Sequence, residues 1–488
     1  MALIYTNIGR GDTAYATWTK LEKIAFRFAF IFFLLLIIPI KWSWYERLFA
    51  VDGLYEFLNT IASYRVNLLH IDTESGRWGF ASYATWGFVG LISAIGAAIW
   101  TILAGNSGRQ DYWVLHYWLT VIIRYRIAIG LIAFGFVKFF PMQMPFPSVS
   151  NLNTAIGDYA AFKLYWQIVG VSASYESFLG FLEITAGTLM LFRATTVLGA
   201  IINAGVLFNI AHANLGYDGG VHVYASYFVL LSAFVLLQYV PDIWKLFIKG
   251  EIVTPRHYYP RFNKKVSKSV YVALKASLIF LFLIFYGYSR YDRFYNGGRL
   301  KEPVVSGLSG TAGLYDVSSF VLNGDTLSSY SPKDSVRWHK AIFERYSTFV
   351  FEVNKALDID LGNGGPGKND LLKSYEFTGR AGGKTYLYYE IDTTESRLYL
   401  VDKNQKFSRA LSRRFGVTND VGLKELYETA VGDEIGILRW DYERPSAERI
   451  KLSGVDLNGD TLSVVLDRRD RKYLLGEEWY IQSNKYSY

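Results

Sequence analysis

The amino-acid sequence predicts an α-helical polytopic membrane bundle followed by a mainly antiparallel β soluble domain. Three observations carry that prediction. Hydrophobic residues make up 51% of the 488, against 19% charged. Nearly all the long apolar runs fall within the first 290 residues. Beyond them the chain turns polar and rich in Gly, Tyr and Asp, with Asn-Gly pairs set between alternating apolar residues, a hairpin pattern. Residues 1–290 therefore read as a membrane domain and residues 291–488 as a β-rich domain.

About seven runs are long enough to cross roughly 30 Å of hydrocarbon: 24–40, 83–104, 119–140, 175–192, 197–213, 221–240 and 270–288. The first, "IAFRFAFIFFLLLIIPI", follows some twenty polar residues and has no A-x-A site, so it is expected to be retained rather than cleaved. Loop cations orient the bundle. Lys245, Lys249, Arg256, Arg261, Lys264, Lys265 and Lys268 lie between the sixth and seventh runs, on the same side as Arg109 and Arg193. The opposite loops are poorer in cations, which favours a cytoplasmic N-terminus and places residues 289–488 outside. Arg124, Arg126 and Arg193 then read as anchors at the cytoplasmic boundary that reach for water.

In the second half, "FVLNGDTLSSY" (320–330) and "VDLNGDTLSVVLD" (455–467) each centre a hairpin on Asn-Gly, because type I′ turns need positive φ at both central residues. "KTYLYYEIDTTESRLYLVD" (384–402) alternates around a polar turn in the same way. Short strands at this spacing suggest a small barrel or sandwich. Residues 406–430 read as more helical, and "GNGGPG" (362–367) as a hairpin or loop tip, since no Lys-Ser/Thr and helix follow it.

The fourth run carries ionisable residues that lipid would not tolerate. Glu176, Gly180, Glu183 and Gly187 are spaced 4, 3 and 4 apart, which puts them on one helix face. Glycines there allow another helix to approach closely, so the face carrying Glu183 should pack inward. In the third run Arg124, Leu131, Gly135 and Lys138 share a face, with Lys138 near the outer end and within reach of either carboxylate. The segment "NIAHANLGYDGGVHVY" brings His212, Asp218 and His222 to the same end. An outward-facing polar pocket of Lys138, Gln143, Glu176, Glu183, His212, Asp218 and His222 is the candidate site. Its simpler alternative is a helix-to-helix clamp between Glu183 and Lys138, with the histidines and Asp218 serving an interfacial turn. No spacing singles out a metal site. The absence of cysteine excludes disulfides, thiolate metal sites and iron–sulfur ligation. The net charge of +8 is absorbed by the loops beside the apolar runs and does not require nucleic acid.

The segments "RYRIAIGLIAFGFVKFFPMQM", "YESFLGFLEITAGTLMLFRATTVLGA" and "NIAHANLGYDGG" resemble the DoxX-like family of bacterial membrane proteins. They are most similar to its long form, in which a multi-span core precedes a β-rich extracytoplasmic tail. Arg124-Tyr125, Gly135, Lys138, Glu183, Phe192-Arg193, Thr195, Gly199 and Tyr217-Asp218 carry the resemblance, and the tail through "GEEWYIQSNKYSY" is also similar. It implies a four-helix core within the bundle and a bacterial cytoplasmic (inner) membrane location with a periplasmic C-terminal domain. Relatives are linked to quinone-coupled sulfur oxidation, maturation of redox enzymes, and assembly or cargo handling. Thiol chemistry is not expected here, because the chain has no cysteine.

Three functions follow as expectations. The first is a non-enzymatic envelope assembly or binding component, with the lipid bilayer and an envelope protein as partners. The second is a quinone-linked subunit of a membrane oxidoreductase, with Lys138, His212 and Glu183 at the quinone head. A small-molecule transporter ranks last, because no inverted repeat or broken-helix pair is visible. No cofactor other than a possible quinone is indicated.

Overall fold

A computed structural model describes residues 17–69, 71, 80–105, 111–253, 265–297, 300–328, 334–357, 369–379, 382–404, 422–428, 436–456, 458–473 and 475. The glycine-rich 362–367 and all of "GEEWYIQSNKYSY" lie outside them, as does all of 406–430 except 422–428.

Among the described residues, five helical stretches are long and apolar enough to cross a membrane: Lys20–Ala50, Ala81–Ala104, Trp113–Phe139, Arg193–Gly216 and Lys268–Tyr295. The helices in them are α1 (Lys20–Ile37), α2 (Trp42–Ala50), α4 (Ala84–Ala104), α5 (Trp113–Phe139), α9 (Thr196–Gly216), α12 (Lys265–Ile279) and α13 (Tyr286–Tyr295); a π-helical turn, Phe280–Phe285, joins the last two. α10 (His222–Leu237) and α11 (Val240–Phe247) make a sixth candidate, bent by 73°. α3 (Gly53–Ala62), α6 (Val149–Leu152), α7 (Ala161–Gly170) and α8 (Ala173–Met190) complete the helices before the strands. α8 coincides with the run expected at 175–192 and is not among the five; its 18 residues would span about 27 Å.

Two compact units share the chain. The first comprises residues 1–133, 185–211 and 221–284, and the second 134–184, 212–220 and 285–488.

In the first unit α1 starts on a capping box in which Thr19 and Glu22 satisfy each other's backbone N–H. Its buried Arg27 donates to Thr101 Oγ1 (2.7 Å) and to Tyr112 Oη (2.8 and 3.0 Å). Arg126 stands at the midpoint of α5, thirteen residues from either end. It donates to the carbonyls of Ala62 (3.1 Å) and Tyr64 (2.7 Å), satisfying acceptors that the end of α3 leaves open. Arg124 does the same for α8, through two bonds to Met190 O. The expectation that these arginines reach for water therefore needs revision. Both are buried, at 6% and 7% exposure, because uncapped helix carbonyls offer a closer partner. Arg193 donates to Tyr117 Oη.

The second unit contains a closed antiparallel barrel. Its strands are β1 (Gly313–Leu322), β2 (Asp325–Thr326), β3 (Lys340–Phe343), β4 (Thr348–Glu352), β5 (Lys384–Asp392), β6 (Arg397–Asp402), β7 (Leu438–Ser446), β8 (Arg449–Val455) and β9 (Thr461–Arg468). The order runs β1-β3-β4-β5-β6-β7-β8-β9, and β9 returns to pair with β1 from Tyr315↔Arg468 to Leu322↔Leu462, while β2 folds back on β1. Closure of eight strands removes the exposed edges. The interior is filled by alternate residues of every strand except β2, among them Tyr315, Phe343, Phe349, Tyr389, Trp440 and Val464, as expected for a barrel of this size.

The Asn323-Gly324 turn has φ of 51° and 86° and joins Leu322 directly to Asp325, as a type I′ hairpin requires. The second Asn-Gly also closes a hairpin, but by a longer loop between Val455 and Thr461, where Gly459 has positive φ and the Asp456 carboxylate accepts from Asn458 N and Asp460 N. The two repeats meet, because β1 lies beside β9: Asn323 Nδ2 donates to Asp460 and its Oδ1 accepts from Thr461 N.

Outside, the barrel has two kinds of surface. Strands β7 to β9 alternate buried and exposed residues and face water on one side. Around β5 both faces are buried. Tyr388, Tyr399 and Val401 lie under α14 (Leu423–Tyr427). Leu314, Ile342, Val350, Phe377 and Tyr386 pack together with Val149 from the segment between α5 and α7.

Candidate functional site

The site is built on α5 and α8, which cross with almost no side chain between them. A methyl group built on Gly180 would lie 2.5 Å from Gly135 O, and one on Gly135 would lie 2.8 Å from Gly180 O. That approach brings Lys138 and Glu183 together. Lys138 Nζ donates to both carboxylate oxygens, at 2.7 and 2.9 Å, and the side chains are 10% and 2% exposed. About two turns earlier on α8, Glu176 is fully buried. Its Oε1 accepts from Gln143 N (3.0 Å) and Met144 N (3.1 Å), and its Oε2 has no hydrogen-bond partner among the described residues. So Gln143 contributes backbone to this cluster, and its own Oε1 is buried without a hydrogen bond among the described residues.

The remaining expected members are His212, Asp218 and His222. His212 and Asp218 are exposed, and Asp218 holds a left-handed φ of 54° in the turn after α9. His222 belongs to the first unit, where its Nε2 is 2.9 Å from Ser82 Oγ. Among the described residues, no group of three His, Asp or Glu is placed to hold a metal.

Beyond Met144 the chain forms a strap, residues 148–163, that is bound to the barrel by buried polar groups outside the expected site. The Glu344 carboxylate accepts from Val149 N (3.0 Å) and Ser150 N (2.8 Å), and burial pushes its carboxyl up from the usual range. Lys384 donates to Ser150 O, Asn153 O and Thr154 Oγ1, and Asn151 Nδ2 to Glu376 O. Glu376 is in turn paired with Lys403, both side chains being wholly buried. Lys163 of α7 closes the strap by donating to Ser374 O (3.2 Å) and Tyr375 O (2.8 Å). Desolvation lowers the Lys163 and Lys384 ammonium groups to about 8. The one cue in the sequence is a lone lysine in an apolar helical run, "AAFKLYW".

The first unit has a separate cavity of about 780 Å³ beside the N-terminal half of α5, lined by Trp113, His116, Tyr117, Arg124, Arg193 and Asp242 among others. That volume is in the range of small-molecule sites.

Together these features define a protein with several membrane-capable helices and a closed antiparallel barrel, the barrel carrying a polar strap within the second unit. Comparison with known proteins adds little to that class. A stretch of 75 residues, 15% of the chain, is 35% identical to the uncharacterized protein YwoB of Bacillus subtilis (strain 168). The match spans about half (49%) of that relative's length. No family model and no solved structure matches the chain.

Proposed function

We propose that the chain is a DoxX-like protein of a bacterial cytoplasmic membrane, with seven spans when α8 is counted, a cytoplasmic N-terminus and a periplasmic barrel. Its role is that of a non-enzymatic binding or assembly component of the envelope. The carrying observation is the commitment of the polar groups. Lys138 and Glu183 are closed on each other, and Glu176 Oε1 is held by backbone N–H groups. Glu344 and Lys384 are spent on the backbone of the strap, and Glu376 and Lys403 on each other. Such groups hold a shape; they are not poised to exchange protons with a substrate. The bilayer is the first partner and an envelope protein the second, with no nucleic acid involved.

A quinone-linked role is the second reading, and the 780 Å³ cavity favours it, since its aromatic walls carry Tyr117 and Arg193 as donors. The full chain purified in mild detergent separates the two. The binding reading expects a preparation without visible absorbance, oxidised or reduced, whose solvent extract holds no quinone. One quinone per chain would overturn it, and loss of that quinone in Tyr117→Phe would assign it to the cavity.

A further inference from the structure

The second unit holds a small cavity that none of the groups above explains. Met144, Pro145, Phe162 and Trp166 form its apolar side, and Lys163, Lys301 and Lys373 converge on it. Its room, about 20 Å³ for the centre of a water-sized molecule, exceeds the 10–15 Å³ or so that a single water needs. The three lysines are 4%, 7% and 7% exposed, and lysine is rarely buried without a partner.

Two of them have partners. Lys163 is spent on Ser374 O and Tyr375 O. Lys373 donates to Glu302 O (2.9 Å) and lies 3.0 Å from Asp370 Oδ1, at an angle too bent for a hydrogen bond. Lys301 differs. Among the described residues its ammonium has no hydrogen-bond acceptor, and the Trp166 ring lies against it, with its centroid 3.6 Å from Nζ. The nearby carboxylates are half-spent: Asp370 Oδ2 accepts from Val304 N and Val305 N, Glu376 pairs with Lys403, and Glu176 Oε1 accepts from Gln143 N and Met144 N. Glu176, whose Oε2 has no hydrogen bond among the described residues, favours the charged form of Lys301 without bonding to it. The cavity thus gathers three buried amines, and the donors of Lys301 are unspent among the described residues.

We propose that this cavity binds a phosphoryl anion, held by Lys301 with support from Lys163 and Lys373 and backed by the Trp166 ring. Lysine binds phosphate as a point charge from several directions, which suits three amines converging on a tetrahedral group better than it suits a planar carboxylate. Burial and the neighbouring Lys163 hold the Lys301 ammonium well below its usual range, the condition an anion would relieve. The phosphoryl group has two possible sources, a phospholipid headgroup and free phosphate. The site deepens the binding role proposed above by naming a ligand class. The two can fail separately, since a quinone count leaves the phosphorus count unchanged.

The test uses the full chain in detergent, prepared without phosphate, as wild type and Lys301→Met. Bound phospholipid is counted as organic phosphorus per chain. Thermal unfolding is then followed against added inorganic phosphate, at ionic strength held constant with chloride. A headgroup site gives about one phospholipid per wild-type chain and none in the variant. A free-phosphate site gives a saturable rise in Tm that needs roughly ten- to a hundredfold more phosphate in Lys301→Met, the worth of one charge-assisted hydrogen bond. No bound phosphorus and no Tm shift in the wild type would overturn the proposal whether or not the variant folds. Equal responses from both proteins would overturn it as well.

Discussion

Glu183→Met keeps the approximate shape of the side chain and strands the ammonium of Lys138. In the wild type that ammonium is held by two bonds, 2.7 and 2.9 Å, in a contact where the partners are 10% and 2% exposed. Removing one member of a buried pair costs about 3–5 kcal/mol, because the survivor keeps its desolvation penalty and loses its compensation. Lys138→Met on the same background removes that survivor, and replacing a whole buried pair by apolar residues is neutral or gains about 1–4 kcal/mol. A double-mutant cycle on unfolding in detergent should therefore place the double variant at or above wild type and Glu183→Met well below it. Glu183→Met within about 0.5 kcal/mol of wild type, the range of a surface change, would refute the closed pair. A double variant as unstable as the single would refute the claim that the stranded charge is the cause.

Two further outcomes are expected. Gly180→Ala should destabilise by about 1–3 kcal/mol, since its methyl would meet α5 backbone, whereas Gly205→Ala, with nothing within 4 Å, should cost nothing; equal unfolding midpoints for the two would refute the close crossing. Lys163 and Lys384 have ammonium groups lowered to about 8 in the fold from an ordinary 10.5, so the folded state favours their neutral forms. Their contribution is fully present above pH 10.5 and is lost as pH falls through 8. The Tm of wild type relative to a Lys163→Met/Lys384→Met variant should therefore rise between pH 8 and pH 10, and a flat difference would contradict the sign.

What the sequence made legible was local or periodic. The 4-3-4 spacing through Gly180 and Glu183 points one face of α8 inward, and depth arithmetic along α5 brings Lys138 opposite; the structure joins the two. The Asn-Gly at 323–324 announced its hairpin because positive φ at two successive residues is a demand that few pairs meet. The partners of Arg124 and Arg126 were out of reach, because a helix carbonyl carries no signature of its own in the sequence. Barrel closure was equally hidden. β1 and β9 are more than a hundred residues apart, and alternation shows that a strand has two faces without showing which strand it will meet. The strap was missed for a third reason. Glu344, Glu376, Lys384 and Lys403 look in the sequence like solvated strand charges, and only the fold buries them.

The strap also bears on how the barrel could exist by itself. Without residues 148–163, Leu314, Ile342, Val350, Phe377 and Tyr386 would lose the packing of Val149, and Glu344 and Lys384 would lose the backbone that satisfies them. The freed surface would combine an apolar patch with mispaired charge, the kind of surface that drives association. The barrel is therefore not a portable module that a cut near residue 300 would release intact. Its solubility is partly encoded more than 130 residues upstream, between two helices of the bundle.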